Sequence, residues 1–506
     1  MGKMIRRILA VIPAAALQVL WILLLVKWLA PYATYIALAL SIVAFFLVLY
    51  IMIKRDESAY KLLWLLVILT LPLAGALLYL LFGNKRTARP LKKHLQNVQK
   101  SGDPPPLSTG ETQFAEDDKR MGQTLRWLED KTDYPLCLTE GVRYYPLGDD
   151  MFPDMLADLQ SAKHSIYLEY FIIEPGHMWD AIVAVLVEKV RQGVDVRVMY
   201  DDLGSISTFN FKNAKELRKL GIPCITFNPL LAIKGTANYR DHRKMLIVDE
   251  NIAYSGGINL ADCYINLERR YGHWKDIGFR LTGAPVESFT HMFLTFWNAF
   301  SRQNSITAPA LPSPRTTGAA IPAAEDGYVL SYYDSPLNRE ATSNKLYIDL
   351  LSQSTDSAWF FTPYLMLGDD LMDAMIAAAH RGVDVRIIMP GIPDKKLIFR
   401  MSRSFYQVLL TEGIKIYEYA PGFIHAKGFV SDDRVAAVGT VNLDYRSLFL
   451  HFENNSLFYR SSIVAKVKED FLATQEKCCE VKPYDMKHYS HRWIVDGILR
   501  IFAPLC

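Results

Sequence analysis

The chain has 506 residues, half of them hydrophobic, and a formal net charge of only +3 from 56 basic and 53 acidic side chains. That length allows two or three domains with ample cores. The small net charge argues against a dedicated nucleic-acid-binding protein, which needs a concentrated basic surface to contact phosphates. The six cysteines form no Cys-x-x-Cys motif, so neither a disulfide framework nor a structural metal site is expected.

The hydrophobic residues are concentrated at the N-terminus, in three uncharged runs at residues 8–26, 32–53 and 62–82. Each run is about long enough to cross a bilayer as a helix. A cleaved signal peptide is the alternative for the first run, but no small-residue cleavage site follows it. Pro72 and Gly75 interrupt the third run and could kink it or make it re-entrant. We therefore expect residues 1–84 to anchor a multi-pass membrane protein.

The basic residues that flank these runs leave the orientation open. Five of them follow the third run and favour a cytoplasmic catalytic part by the positive-inside rule. If all three runs cross, however, both sides of the membrane carry the same number of basic residues. One side has Lys27, Lys85, Arg86, Arg89, Lys92 and Lys93, and the other has Lys3, Arg6, Arg7, Lys54, Arg55 and Lys61.

Residues 85–133 are polar, include three consecutive prolines, and are predicted to form a tether. Strand and helix patterns then alternate through residues 134–303, the predicted first half of the catalytic part. Strands are predicted at 165–173, 193–200 and 222–228, and helices at 179–192 and 213–220. This alternation is typical of an α/β fold with a mixed, largely parallel sheet flanked by helices.

A charged motif follows the third of these strands. His242, Lys244 and Asp249 are followed by a glycine pair and Asn259. Residues 245–248 are apolar and favour a strand, so His242 and Lys244 are predicted to point to one face, roughly 6–7 Å apart. A histidine exchanges protons near neutral pH, and a lysine beside it suits a phosphate. Asp249 has the opposite parity and begins a turn, so we interpret it as a bracing residue.

The same order of elements returns in residues 327–506, after a Pro/Ala/Ser/Thr-rich segment at 304–326 that is predicted to be a linker. One such His-x-Lys pair alone is most often a surface feature. Here the motif repeats with seven residues from His to Asp and seventeen from His to Asn in both copies. The second copy consists of His425, Lys427, Asp432 and Asn442. We conclude that the chain contains an internal duplication that brings two motifs face to face.

These paired motifs resemble those of the phospholipase D superfamily. The resemblance implies two similar halves that form a single active site between them. One histidine attacks phosphorus to give a phosphohistidine, the other protonates the leaving alcohol, and the lysines and asparagines hold phosphate oxygens. By analogy His242 is the nucleophile and His425 the acid. The resemblance also implies that Glu453 braces His242 and that Asp276 braces His425. Taken alone, either carboxylate could be a surface acid.

The resemblance narrows to the bacterial cardiolipin synthases on residues 64–83, residues 169–172, the turn at 256–260 and the C-terminal residues 499–506. A first hydrophobic run in addition to the usual two is a departure from that family. The resemblance implies a plasma-membrane enzyme that makes cardiolipin and glycerol from two phosphatidylglycerol molecules. No cofactor or metal is expected, because Lys244 and Lys427 neutralise the phosphate.

Two other interpretations stay open at this point. One is a different phospholipase D-type hydrolase or phosphatidyltransferase, because only the acceptor differs and the motifs do not specify it. The other is a non-enzymatic membrane scaffold, which the two intact motifs disfavour. The membrane segments and the modest net charge also argue against a nuclease.

Overall fold

A computed structural model describes residues 30–54, 56–83, 118–229, 238–301, 326–338, 340–483 and 493–505, with residues 13, 16–24, 27, 92, 93 and 95. The predicted linker lies outside the described residues except for Asp326, as does most of the predicted tether.

One helix among the described residues is long and apolar enough to cross a membrane. Helix α1 (Ala33–Ile53) contains this stretch, Thr34–Ile53. The third predicted run instead forms α2 (Ser58–Thr70) and α3 (Pro72–Leu78), because proline lacks the N–H that would continue α2. A π-helical turn at Tyr79–Gly83 follows. This finding does not support three crossings or a multi-pass protein. Of the first predicted run, residues 8–26, the structure describes residues 13 and 16–24.

Part of the predicted tether is folded. Helix α4 (Lys119–Thr132) buries Leu125 and Leu128 in the main hydrophobic core. Strand β1 (Cys137–Leu138) follows it and pairs with a strand of the second half. Residues 119–132 of the predicted tether therefore pack with the fold that follows them.

The described residues of the first half form a seven-stranded mixed sheet and four helices. Its strands are β2 (Glu140–Tyr145), β3 (Ser165–Tyr170), β4 (Asp195–Asp201), β5 (Cys224–Phe227), β6 (Lys244–Val248), β7 (Ile252–Gly256) and β9 (Gly278–Thr282). A short strand outside this sheet is β8 (His273–Lys275). Its helices are α5 (Gly148–Ser161), α6 (His177–Arg191), α7 (Phe211–Lys219) and α8 (Val286–Phe300), with a 3-10 turn at Asp262–Ile265.

The second half repeats this arrangement. Its strands are β10 (Tyr328–Asp334), β11 (Ser357–Phe361), β12 (Asp384–Pro390), β13 (Lys415–Tyr419), β14 (Gly422–Ile424), β15 (Gly428–Ser431), β16 (Val435–Gly439), β17 (Glu453–Tyr459) and β18 (Cys478–Val481). Its helices are α9 (Thr342–Gln353), α10 (Asp369–His380), α11 (Lys396–Thr411), α12 (Ser462–Gln475) and α13 (Trp493–Phe502), with a π-helical turn at Arg446–Leu450 and a 3-10 turn at Ala503–Leu505.

The strand order confirms the duplication. The first sheet runs β2-β9-β7-β6-β3-β4-β5, and the second runs β10-β17-β16-β15-β11-β12-β13 with β1 and β18 added at its edges. Every strand of the first sheet therefore has a counterpart at the same place in the second. The two motif strands, β6 and β15, occupy equivalent central positions.

Both sheets are mixed, as predicted, but the expectation of a largely parallel sheet is wrong. Only β3-β4-β5 and β11-β12-β13 run parallel. The motif strand β6 continues directly into β7 through a tight turn, and strands joined this way must be antiparallel. Asp249 and Glu250 adopt φ values of 51° and 53° in this turn, and Asp432 and Asp433 adopt 51° and 54° in its counterpart. Two consecutive positive φ values define a type I′ turn, which matches the twist of a hairpin.

The halves share one continuous core. Met245 and Ile247 on β6 are buried in it, together with Phe279 of the first half and Phe458 of the second, whose rings lie 5.4 Å apart. The alternate side chains of β6, Leu246 and Val248, are buried on the other face of the sheet. A strand with both faces buried explains why residues 245–248 are apolar without alternation.

Candidate active site

The two motif histidines are held at the junction of the halves by backbone bonds that cross it. The N–H of His242 donates to the carbonyl of Phe452 at 2.9 Å, and that of His425 to the carbonyl of Lys275 at 2.7 Å. Strand β14, just before His425, pairs in parallel with β8 of the other half. Both histidines are buried. Each motif is therefore positioned by the half to which it does not belong.

A carboxylate from the opposite half meets each histidine. His242 Nδ1 lies 2.9 Å from both oxygens of Glu453, and His425 Nδ1 lies 2.6 Å from Asp276 Oδ2. A carboxylate accepts, so Nδ1 carries the proton and donates in both pairs. This fixes the tautomer and leaves each Nε2 available for chemistry. Each motif histidine thus forms a His–carboxylate pair that spans the junction.

The two pairs differ in their surroundings. At the position after Gly256 the first half has Gly257, where an added Cβ would lie 2.0 Å from Asp276 Oδ1. The equivalent residue of the second half is Thr440, whose hydroxyl donates to Glu453 Oε2. Ser447 donates to the other oxygen of Glu453 at 2.7 Å. The first half therefore needs a glycine so that its short carboxylate can approach, whereas the second surrounds a longer carboxylate with donors.

Both motif lysines are buried beside the histidines. Lys244 Nζ donates to the carbonyl of His242 at 2.5 Å, and Lys427 Nζ donates to that of His425. Burial lowers the pKa of Lys244 to about 8 and that of Lys427 to about 7, although nearby carboxylates act in the opposite direction. An anion placed between these ammonium groups would favour their charged forms. Two buried lysines in one site have the chemistry to hold an anionic group.

The surroundings of both histidines favour the neutral imidazole. Burial, followed by the charge of Lys244, holds the pKa of His242 well below its usual value. Burial and the charge of Lys427 lower the pKa of His425 to about 4, although Asp276 opposes them. Lys427, from the other motif, also lowers the pKa of His242, which is consistent with both motifs lying around one point. A neutral imidazole is the form that can attack an electrophile.

The pKa values of the two carboxylates are shifted in opposite directions. Burial raises the pKa of Glu453 to about 8, and Lys244 and the two hydroxyl donors only partly offset this. Burial acts on Asp276 in the same sense, but His425 and Lys427 outweigh it and hold its pKa below the usual value. Asp276 therefore keeps a firm negative charge next to His425. That charge opposes the lowering of the pKa of His425 and so favours its protonated form.

The two motif asparagines are placed differently from one another. Asn259 is fully buried; its Oδ1 accepts from the N–H of Ile172 at 3.0 Å, and its Nδ2 donates to the hydroxyl of Tyr264 at 2.7 Å. Asn442 is also buried, but within the described part of the chain its Oδ1 has no hydrogen-bond partner. Asn259 therefore fixes the loop that contains Ile172, whereas the side-chain oxygen of Asn442 is left as a spare acceptor among the described residues.

Asp249 and Asp432 lie at the far end of the motif strands from the histidines. Asp249 accepts backbone N–H bonds from Lys163, His164 and Ser165 at 2.6–2.9 Å. These donors lower its pKa although partial burial acts the other way. Asp432 accepts the equivalent bonds from the segment before β11 at 2.8–2.9 Å. Both aspartates tie the hairpin turn to the neighbouring strand, which is a bracing contact.

Sequence reasoning missed the aromatic residues that enclose the site. The rings of Phe171 and His451 lie 4.8 and 5.7 Å from that of His242. Those of Tyr264 and Trp274 lie 5.4 and 5.6 Å from that of His425. The duplication itself could have revealed one pair, because Trp274 and His451 both stand two residues before the bracing carboxylate.

Three side chains of the site have the chemistry to hold a metal ion. Ligand atoms of His242, His451 and Glu453 all lie within 4.8 Å of one another. Two of these residues already bond to each other, and Lys244 and Lys427 bring positive charge close by. That charge opposes a resident cation in this group.

The sequence matches two protein families. The family described as "Cardiolipin synthase, PLD-like domain" matches residues 155–269 and 347–474, one segment in each half. The family described as "Phospholipase_D-nuclease N-terminal" matches residues 39–84. The two catalytic matches cover the two motif regions and agree with the duplicated fold.

Several curated relatives match over nearly the whole chain. A protein of Streptococcus mutans named "Uncharacterized protein" is 38% identical, covering 90% of this chain and 99% of the relative. The cardiolipin synthase of Geobacillus kaustophilus is 31% identical over 91% of each chain. Cardiolipin synthase 2 of Bacillus anthracis is 32% identical, covering 92% of this chain and 90% of the relative.

The crystal structure of phosphatidylserine synthase from Haemophilus influenzae shares the fold. Its TM-score is 0.54 at 13% identity, and the match covers 75% of this chain and 99% of that one.

Proposed function

The chain belongs to the cardiolipin synthase family of phospholipase D-like enzymes, and we propose that it joins two phosphatidylglycerol molecules into cardiolipin and glycerol through a phosphohistidine. The observation that carries this proposal is the pair of His–carboxylate contacts across the junction, with two buried lysines between them. Membership of this family shows that the chain is a phospholipid phosphotransferase. The substrate, the covalent intermediate and the roles of single residues are the proposed parts.

In the first step the phosphodiester of one phosphatidylglycerol lies between Lys244 and Lys427. His242 Nε2 attacks phosphorus while its Nδ1–H donates to Glu453. The bond between phosphorus and the head-group glycerol oxygen breaks, and His425 Nε2–H gives that oxygen its proton. Free glycerol leaves, and a phosphatidyl group stays on His242.

In the second step His425, now neutral, removes the proton from a glycerol hydroxyl of a second phosphatidylglycerol. That oxygen attacks phosphorus, the bond to His242 breaks, and cardiolipin forms. His242 returns to its neutral form and His425 regains its proton. The lysines, which are hydrogen-bond donors, hold the phosphate oxygens through both steps, which is the preorganised electrostatic stabilisation that such charge transfer needs.

The opposite pKa shifts of Asp276 and Glu453 support the roles proposed for the two histidines. A general acid has to become a cation in the complex, and Asp276, whose pKa is held low, favours a cationic His425. A nucleophile has to be neutral, and the raised pKa of Glu453 leaves less negative charge beside His242. His242 is therefore proposed as the nucleophile and His425 as the acid and base.

Transfer to a lipid requires that water be outcompeted at the phosphohistidine. The motif residues His242, Lys244, His425 and Lys427 are all buried, and aromatic rings enclose the histidines. Orientation of a bound acceptor corresponds to effective molarities up to roughly 10⁵–10⁸ M. We propose that α1 anchors the enzyme in the bacterial plasma membrane, where a second lipid is always at hand.

Product partition from phosphatidylglycerol alone, in proteoliposomes, tests this function. Head-group-labelled lipid should yield cardiolipin and glycerol in nearly equal amounts, with phosphatidic acid a minor product. A Lys427→Met variant is the matched control for background hydrolysis. If phosphatidic acid and glycerol dominate, the enzyme is a hydrolase, and the synthase assignment is wrong although the two-histidine site remains.

A further inference from the structure

Among the described residues, the C-terminal helix contacts the rest of the fold through one face. Asp496 of α13 accepts from Arg400 of α11 at 3.3 Å, and Arg500 Nε donates to Ser404 Oγ at 3.3 Å. Leu499, on the same side of the helix, packs against the main core. The 3-10 turn that follows buries Ala503 against α2. These contacts fix the rotation of α13 about its axis.

The opposite face of α13 is apolar and exposed. Its large side chains are 39–57% exposed, and they recur at a spacing of one, three and four residues, which places them on a single stripe. They are Ile494, Val495, Ile498, Ile501 and Phe502. A surface helix in water normally buries its apolar face and exposes its polar face. Helix α13 does the reverse, because its polar side chains bond to the protein and its apolar stripe is exposed. Such a stripe marks a binding surface.

The apolar stripe of α13 lies next to the membrane-anchoring segment. Helix α13 contacts α2, and α2 in turn contacts α1, the helix long enough to span a bilayer. Helix α2 also exposes Leu62, Leu66 and Leu69, at 66%, 46% and 65%. The exposed leucines of α2 and the stripe of α13 therefore extend the apolar surface of α1 across the catalytic part.

Basic side chains lie at the start of α11, the helix to which α13 is fastened. Lys396 is exposed there, Leu397 beside it is 60% exposed, and the exposed Lys395 forms an ion pair with Asp394 at 3.2 Å. Apolar side chains flanked by lysines are the composition of interfacial helices that bind anionic lipid. A second protein chain would have to share this surface with the lipid around α1. Because the apolar stripe of α13 and the exposed leucines of α2 lie next to α1, lipid is the favoured partner of this surface.

We propose that α13 lies in the membrane interface with its apolar stripe among the lipids, as a second membrane contact beside α1. The inference rests on the proposed anchoring by α1, and not on which lipid product the enzyme makes. It also places the active site at the bilayer surface, because the carbonyl of Leu505 accepts from Arg446 at 3.0 Å. Arg446 Nε donates to His451, whose ring lies 5.7 Å from that of His242.

Photo-crosslinking of the full chain in proteoliposomes of phosphatidylglycerol and phosphatidylethanolamine tests this proposal. A benzophenone amino acid is placed at position 494 or 498, at 66 on α2 as the positive control, and at Gln192 as an exposed polar control. Mass spectrometry should find lipid adducts at 494 and 498 at yields within a few-fold of those at 66, and none at 192. Absence of lipid adducts, equal yields at 192, or a crosslinked dimer through 494 and 498 would overturn the proposal.

A substitution series adds a functional readout. Ile494→Ser with Ile498→Ser should raise several-fold the phosphatidylglycerol density needed for half-maximal rate in bilayers, with little change in the maximal rate. The matched Ile494→Leu, Ile498→Leu variant should behave as the unaltered chain. An unchanged density dependence in the serine variant would contradict a membrane role of the stripe. The lipid adducts are independent of turnover, so failure of the synthase assignment leaves this test intact.

Discussion

Gly257→Ala is the most informative single substitution, because it adds one carbon atom at the closest point of the site. The new Cβ would lie 2.0 Å from Asp276 Oδ1, whereas ordinary van der Waals contact begins at 3.4 Å. The carboxylate therefore has to move by about 1.4 Å, and misplacement of about 1 Å in an active site can cost about 100-fold in rate. The backbone itself tolerates a side chain here, since Thr440 occupies the equivalent position.

The magnitude follows from the contact that is lost. Asp276 sits 2.6 Å from His425 Nδ1, and a hydrogen bond involving a charged group contributes about 1.5–3 kcal/mol. If that bond stabilises the cationic His425 in the transition state, cardiolipin formation should slow by about 10- to 150-fold. The assay is conversion of labelled phosphatidylglycerol in proteoliposomes, with the melting temperature recorded in parallel.

Two comparisons separate this effect from a general disturbance. Gly497→Ala introduces a Cβ with no heavy atom within 4 Å and should leave the rate unchanged. A substrate whose leaving group needs no proton should restore the first step in Gly257→Ala, because His425 is then not required as the acid. Full activity of Gly257→Ala, or an equal loss with the activated substrate, would refute the role given to the Asp276–His425 contact.

Three further predictions concern the rest of the site. Glu453→Gln should lower the rate by about 10- to 150-fold, because it weakens a hydrogen bond from His242 that contributes about 1.5–3 kcal/mol, and should lower the melting temperature, because only one of the two oxygens that accept from Ser447 and Thr440 remains an acceptor; a loss below tenfold would speak against a role for this carboxylate. Because Lys427 and Lys244 lose their protons above pKa values of about 7 and about 8, kcat/KM should fall as pH rises through that range, and Lys427→Arg should move the fall to higher pH; an unmoved profile would contradict this. Chelation should not abolish turnover, and loss restored by one stoichiometric cation would refute the metal-free reaction.

Repetition in the sequence was enough to predict the duplicated architecture. The matched spacing of His242 with Asp249 and of His425 with Asp432 predicted two equivalent halves, and the sheets have the same strand order. The direction of the strands was not predictable in the same way, because an apolar run such as 245–248 is buried on both faces in parallel and antiparallel sheets alike. Pro72 was recognised as an interruption, but whether it bends or ends a helix depends on tertiary contacts.

The site was less accessible from sequence than the fold. The motif residues could be named because their spacing repeats, and the carboxylates because they follow each motif in similar settings. The difference between Gly257 and Thr440 was visible in the sequence, but its meaning depends on a distance to Asp276 that only the folded chain supplies. The neighbours Phe171 and Tyr264 come from loops distant in sequence, so no local pattern pointed to them.

Trapping of the covalent intermediate tests the central claim most directly, because it asks whether one active site uses a histidine from each half. His425→Ala is incubated with labelled phosphatidyl substrate whose leaving group needs no protonation, and the protein is then digested and the labelled residue identified. The account predicts stable label on His242, since attack proceeds while no base remains to activate the acceptor. Label retained by His242→Ala instead would reverse the roles, and no label in either variant would contradict a phosphohistidine pathway.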